Sequence, residues 1–385
     1  MELPILRIHL LKKQNFDENL RIWDIQTTLK SDQSFNIFNI VNKIRISADS
    51  PSVQVAIKWH DRGSWKGCDG FANRKLKTKI SNESIYEIGS ITKSFTAVLI
   101  MKLFEEGHLD LNEKISKYLP DVSYGDFITI ENLLYHTSGL CNYTQRIGPM
   151  FKTLLLKKKW RNTDIKKIIK TKDMVSKPGA RFNYSDQNYF LLGLIIEEIA
   201  KKSFSEYLTE SIIKPLGLKK TSCYTDKASS RAVSGYDSRF TPLARFGIKK
   251  EISRFQIPFK SFTFASGHIE SNASDISTFY YSLYNGRILD KKSISIITKF
   301  IDADYKYPPQ MTGYGLGVMR FSVDNIELWG NVGMMLGFSG VSVYSPERGY
   351  FITILANVPE VEKLFNGVAF LQKHLIERIL ENNRY

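Results

Sequence analysis

Cysteine is scarce in this sequence, and histidine is scattered. The three cysteines, Cys68, Cys141 and Cys223, lie far apart and are odd in number. They build neither a disulfide framework nor a zinc site and read as reduced, partly buried thiols. No His/Cys cluster of zinc type is present, and no metal or organic cofactor is called for. No stretch approaches the ~18–20 continuous apolar residues of a membrane span. The run Tyr189–Ile196 (YFLLGLII) is too short. The first residues, MELPILRIHLLKKQNF, have an acidic second position, a broken apolar stretch and early lysines, which make a poor signal peptide. Localisation and oligomeric state stay unknown on these grounds. Acidic residues are in deficit, 39 against 54 Lys plus Arg, for a formal charge of +15. That balance favours anionic partners. The excess is spread in short runs such as Lys157–Lys159, with no basic tail and no RNP-like aromatic motif. It reads as a solvated basic face, not a nucleic-acid surface.

Against these absences stands an ordinary globular interior: 43% hydrophobic and 12% aromatic residues, enough for a sizeable core. There is no internal repeat, low-complexity tract or long linker. Apolar positions at helical spacing predict one or two helices over 17–47. Ser52–His60 alternates like a strand, and Ser64–Ala72 follows an Asp-Arg-Gly turn as its hairpin partner. From Ser90 to Glu106 the chain is helical and apolar nearly all round, the pattern of a buried helix closed by Gly107. Further helices are expected at Asp186–Lys201 and Ser205–Ile213. Strands return at Phe338–Tyr344 and Tyr350–Asn357, and an amphipathic helix spans about Val361–Glu381. Strands at both ends with helices between them predict an α+β fold: one sheet assembled from distant segments, with a helical insertion. The expected division is an N-terminal helical extension over 1–48, a catalytic domain over 49–360, and a C-terminal helix over 361–385 that packs on the sheet.

Chemistry centres on Ser90-Ile91-Thr92-Lys93. A serine hydroxyl needs a base within reach, and a lysine three residues on in a helix lies on the same face. A serine at a helix N-terminus also has backbone N–H groups where an oxyanion would form. Desolvation by the apolar helix should lower the lysine pKa toward neutrality. S-x-x-K alone arises by chance. A second copy, Ser211–Lys214, sits at a helix end before a proline and carries no chemistry. The distinguishing feature of the first copy is a lysine on the first turn of an otherwise apolar helix. Tyr184, in Arg181–Asp186 (RFNYSD), reads either as a proton relay beside an ammonium or as a core aromatic before an aspartate cap. Gly330-Asn331-Val332-Gly333 enters a strand with residues small enough for close backbone approach.

Several of these stretches together resemble one family. Tyr86–Val122 looks like the S-x-x-K segment of the class C β-lactamase, D-Ala-D-Ala carboxypeptidase and esterase family, the serine hydrolases related to penicillin-binding proteins. Leu133–Leu140 (LLYHTSGL) is similar to its L-L-x-H-T-S-G-L loop, and Pro178–Gly193 to its P-G-x-x-F-x-Y-S-N/D segment. Lys214–Leu218 with Thr221, Ala265–Phe279, Tyr314–Gly317 and Gly330–Tyr344 with Asn357 follow in the family's order. Weak motifs at family spacing make a strong joint signal.

The resemblance implies a β-lactamase/transpeptidase-like fold, with the active site at the seam between the sheet and the helical region. It implies an acyl-enzyme on Ser90, with Lys93 as base partner and Tyr184 as proton relay. Backbone N–H groups of Ser90 and Met334 would form the oxyanion hole, with Asn331, Gly333 and Asp186 on the substrate side. His136 would fix its loop. The implied substrate is a small molecule or short peptide: a β-lactam, a D-amino-acid peptide or a carboxylester. Family members are often exported. Asn331 departs from the usual Lys or His and offers neutral hydrogen bonds where a charge-assisted one would be about twice as strong. That favours an ester or amide lacking the carboxylate of penicillins. The alternative is a catalytically weak or inactive protein of this fold with a binding or assembly role. The insert 141–176, with Leu154–Leu156 followed by Lys157–Lys159 and Trp160, reads as a membrane-surface or lid helix or, preferred here, as a helix with its leucines on the body and its lysines in water.

Overall fold

The structure is a computed structural model. It describes residues 24–27, 31–60, 63–154, 156–169, 174–223, 232–238, 249–252, 256–303, 308 and 310–373. Its frame is one antiparallel sheet. The strands are β1 (Asp24–Thr27), β2 (Ser52–Trp59), β3 (Ser64–Asn73), β4 (Met311–Tyr314), β5 (Met319–Val323), β6 (Ile326–Met335), β7 (Phe338–Ser345) and β8 (Tyr350–Ala356). They are ordered β1-β3-β2-β8-β7-β6-β5-β4, with the short strand Thr78–Lys79 paired on β3. The hairpin β2–β3 and the run β6–β7–β8 join where β8 pairs with β2. The sheet is thus assembled from the two ends of the chain.

Alternation along the central strands directs side chains to two cores. Ile352 and Ile354 of β8 pack with Ile40, Val41 and Ile44 of the Ser31–Ser47 helix and with Leu364, Phe365 and Val368 of the Val361–Leu371 helix. Phe351 and Leu355 turn to the opposite face and join the helical region. There the Thr92–Glu105 helix is buried from Thr92 through Met101 and again at Leu103. Phe95 stacks on Phe279 with ring centroids 3.7 Å apart. Each such side chain contributes roughly 1.5–3 kcal/mol relative to leaving it in water.

Two sequence expectations are met in part. The stretch 17–47 holds one described helix, Ser31–Ser47, and ahead of it the edge strand β1, which pairs with β3. Four residues are too few for alternation to show, so pairing with a distant strand decides their conformation. Ser205–Ile213 begins as an α-helix at Phe204–Leu208 and widens into a π-turn over Thr209–Ile213 before Pro215. The C-terminal helix is observed over Val361–Leu371, and the remainder of that expectation lies outside the described residues.

A buried charged cluster ties the sheet side to the helical side. The short strands Tyr86–Glu87 and Ile269–Ser271 pair, and Lys260 of the Gln256–Thr263 helix reaches both. Its ammonium is ion-paired to Glu270 and lies 3.4 Å from Glu87 Oε1. Burial pushes the Glu87 carboxyl up to about 7 against the pull of Lys260, and the Glu270 charge adds to the rise. Folded Glu87 therefore keeps a proton that the unfolded chain releases near 4.5. Between these values the folded state binds more protons, so stability falls as pH rises through the window. Glu87→Gln, neutral at every pH, should flatten that decline in denaturant-melt stability. An unchanged slope would place the titration elsewhere.

Candidate active site

Ser90 lies in the tight turn Gly89–Ile91 that opens into the Thr92–Glu105 helix, at the positive end of its dipole. Strand β6 passes against this turn at unusually short range. A Cβ on Gly333 would fall 1.8 Å from the Ile88 carbonyl oxygen and 3.2 Å from Ser90 N. One on Gly89, at φ +52°, would fall 2.8 Å from Met334 N. Glycine at both positions lets the two backbones meet and makes the Ser90 and Met334 N–H groups neighbours. Gly333 is therefore a close-approach residue rather than part of the cleft surface.

Lys93 follows on the first helical turn and is fully buried. Its ammonium has three N–H groups, and three acceptors meet them. Ser90 Oγ lies at 2.9 Å, Asp186 Oδ1 at 2.7 Å and the Ser266 carbonyl at 2.9 Å. Tyr184 Oη donates to the same Ser90 Oγ at 2.9 Å, and Lys93 Nζ stands 5.0 Å from the Tyr184 ring centroid. Ser90, Lys93 and Tyr184 are brought together as expected from sequence. The duplicate motif is not comparable, since Lys214 is exposed.

The electrostatics depart from expectation. Burial is the largest influence on the Lys93 ammonium and pushes it toward neutrality, but Asp186 and Tyr184 together outweigh it, and Lys93 is held above its ordinary value. Asp186 shows the complement: burial opposes its charge, Lys93 restores it, and its pKa falls. Thr144 Oγ1 at 2.8 Å and Asn142 Nδ2 at 3.3 Å also donate to it, and as first residue of the Asp186–Ala200 helix it sits where negative charge is favoured. Burial raises Tyr184, with Lys93 opposing, so it rests as the neutral phenol. The lysine expected to be lowered toward neutrality is instead half of an ion pair.

Asn331 is a second correction. The sequence reading set it on the substrate side, but it is fully buried behind the serine helix. Its amide donates to Ser94 Oγ at 3.2 Å and to the Gly317 carbonyl at 3.1 Å, and its Oδ1 accepts from Val332 N. Being on the opposite side of β6 from the cleft-lining Val332 and Met334, it braces the strand. His136 is also internal. Burial holds it neutral. Its Nδ1 accepts from Ser185 N at 3.2 Å, leaving Nε2 to donate to Tyr314 Oη at 3.1 Å. This locks the loop to the start of the Asp186 helix.

Above Ser90 opens a cleft of roughly 230 Å³. Tyr184, Asp186, Asn142 and Thr144 form its polar side, and Met150, Phe259, Met319, Val332, Met334 and Met335 its apolar side. Among its described lining residues Asp186 is the single charged side chain, and no Lys, Arg or His is present. Arg146 opens on an adjoining cleft, where it donates to Cys141 Sγ at 3.1 Å and the Ile168 carbonyl at 3.3 Å. Among the described residues no group of three or more His, Cys, Asp or Glu could hold a metal. Asn142, Thr144 and Ser266 were not assigned from sequence. Ser266 lies in the quoted stretch Ala265–Phe279, a usable signal, but Asn142 and Thr144 carry none.

The chain is similar to several known proteins. Protein flp of Staphylococcus aureus strain N315 is 28% identical over 366 residues, covering 93% of this chain and 69% of Flp. A D-stereospecific amidohydrolase from Streptomyces sp. superposes with a TM-score of 0.75 at 25% identity, over 87% of this chain and 98% of that one. The D-amino acid amidase from Ochrobactrum anthropi SV3, complexed with L-phenylalanine amide, superposes with a TM-score of 0.80 at 23% identity, over 92% and 100%. Residues 39–373 match the Beta-lactamase family as a whole. The chain belongs to the beta-lactamase family.

Proposed function

We propose that the protein is a serine hydrolase that acts through an acyl-enzyme on Ser90, with neutral esters or amides bearing an apolar acyl group as substrates. The observation that carries this reading is the convergence of Lys93 Nζ and Tyr184 Oη on Ser90 Oγ, both at 2.9 Å, at a helix N-terminus beneath a cleft.

The proton inventory sets the sequence of events. At rest Lys93 is an ammonium, Asp186 a carboxylate and Tyr184 a phenol. Substrate entering the cleft displaces water and weakens the case for separated charge. Lys93 passes a proton to Asp186 and takes the Ser90 proton as Oγ attacks the carbonyl. The N–H groups of Ser90 and Met334 receive the oxyanion. The proton taken from Ser90 returns through Tyr184 to the leaving alcohol or amine, and Asp186 gives its proton back to Lys93. Water then repeats the sequence, releasing the acid and restoring the serine.

The cleft supports a substrate without a carboxylate next to the reacting carbonyl. Its described lining offers no cation to receive one, and the ammonium beneath it, Lys93, is buried and already paired with Asp186. Asn331, buried and outside the cleft lining, plays no part in this preference. The D-stereospecific amidohydrolase and D-amino acid amidase that share this fold support amides, which lack a carboxylate at the reacting carbonyl, as one such class.

A fluorophosphonate should label Ser90 and a p-nitrophenyl ester should be turned over faster than a chromogenic cephalosporin. Ser90→Ala should abolish labelling, and Tyr184→Phe should lower kcat by about 10²–10⁴-fold. Failure of both ester and β-lactam probes to attach to the wild-type protein would favour a non-catalytic scaffold. Faster cephalosporin turnover would overturn the substrate class.

A further inference from the structure

The segment 147–167, beside the cleft, has features that the catalytic site does not use. In the Ile147–Leu154 helix, Met150 faces the cleft, and Thr153 is buried, donating to the Pro149 carbonyl and accepting from Trp160 Nε1. The outer face is apolar and uncovered. Ile147 is 87% exposed and Phe151, one turn on, 51%. Leu156 beyond the helix is 65% exposed. The leucines expected to pack on the body are thus represented, at the described Leu156, by a side chain in solvent. Single exposed apolar residues are ordinary, but three large ones on ten consecutive residues form a patch.

The charge on that segment is almost all of one sign. Residues 147–167 contain six lysines, Arg161 and one acid, Asp164. Lys152, Lys157, Lys159, Lys166 and Lys167 are exposed. Uncovered apolar side chains on a segment rich in exposed lysines match the two layers of an anionic membrane surface. Acyl chains accept the former and headgroup phosphates attract the latter.

We propose that this segment is a docking surface for an anionic lipid bilayer, seated through Ile147, Phe151 and Leu156 and held by the segment's lysines. Docking would set the mouth of the cleft, with Met150 on its rim, against the lipid. Among the described residues no helix is long and apolar enough to cross a membrane. The docking stands apart from the hydrolase reading, because it is measured without turnover.

The test is co-sedimentation of the full chain with phosphatidylglycerol-rich vesicles against pure phosphatidylcholine vesicles. Partition should favour the anionic vesicles by about tenfold or more and weaken with salt. Ile147→Ser with Phe151→Ser, and separately Lys157→Glu with Lys159→Glu, should each reduce it by about tenfold. A control pair on another helix, Lys291→Glu with Lys292→Glu, should leave it nearly unchanged, and thermal melts should report all variants as folded. Equal partition to both vesicles would overturn the proposal. So would an apolar pair of substitutions without effect, or a control pair as damaging as the 157/159 pair, since either would reduce the binding to the general attraction of a +15 chain.

Discussion

A single buried ammonium organises the centre of this molecule. Lys93 is closed off from solvent, yet each of its three N–H groups has an acceptor: a hydroxyl, a carboxylate and a backbone carbonyl. A buried cation short of any of these would be expelled or neutralised. Because the partners come from the serine turn, the Asp186 helix and the loop at Ser266, the charge fixes three separate segments relative to one another. The same bonds hold Ser90 Oγ in place.

The backbone supplies the second half of that constraint. Gly89 and Gly333 allow β6 to lie against the serine turn, and Asn331 pins the strand from behind through Ser94 and Gly317. The sheet therefore brings the Met334 N–H to the serine turn, the buried helix brings the Lys93 ammonium, and the helical region brings phenol and carboxylate. The Lys260 cluster repeats the principle at a lower level, joining the strand just before Ser90 to the helix that carries Phe259 and Thr263 at the cleft.

Local signals in the sequence were sufficient where chemistry and structure share one element. A serine and a lysine three residues apart on an apolar helix must face the same way, so their contact was legible. The β2–β3 hairpin and strands β7 and β8 showed their alternation. Tyr184 became legible only through resemblance to a family, since 94 residues separate it from Ser90. The Lys93–Asp186 pair was not read, because nothing near Lys93 announces a carboxylate 93 positions away. That omission reversed the direction of the lysine's pKa. Asn331 was misplaced for a related reason: the sequence shows that a strand alternates, but its orientation is set by what it packs against. The edge strand β1 was missed because its pairing lies entirely on β3.

The charge of Lys93 in the resting protein decides how Ser90 is activated. Nitrogen-15 NMR of lysine-labelled protein, with the Nζ resonance identified by its loss in Lys93→Arg, reads that charge directly as pH is raised. The ion pair predicts an ammonium that persists through neutral pH and titrates above the ordinary lysine value of 10.5. A Lys93 that releases its proton near neutrality would contradict it and return the site to a free-amine base.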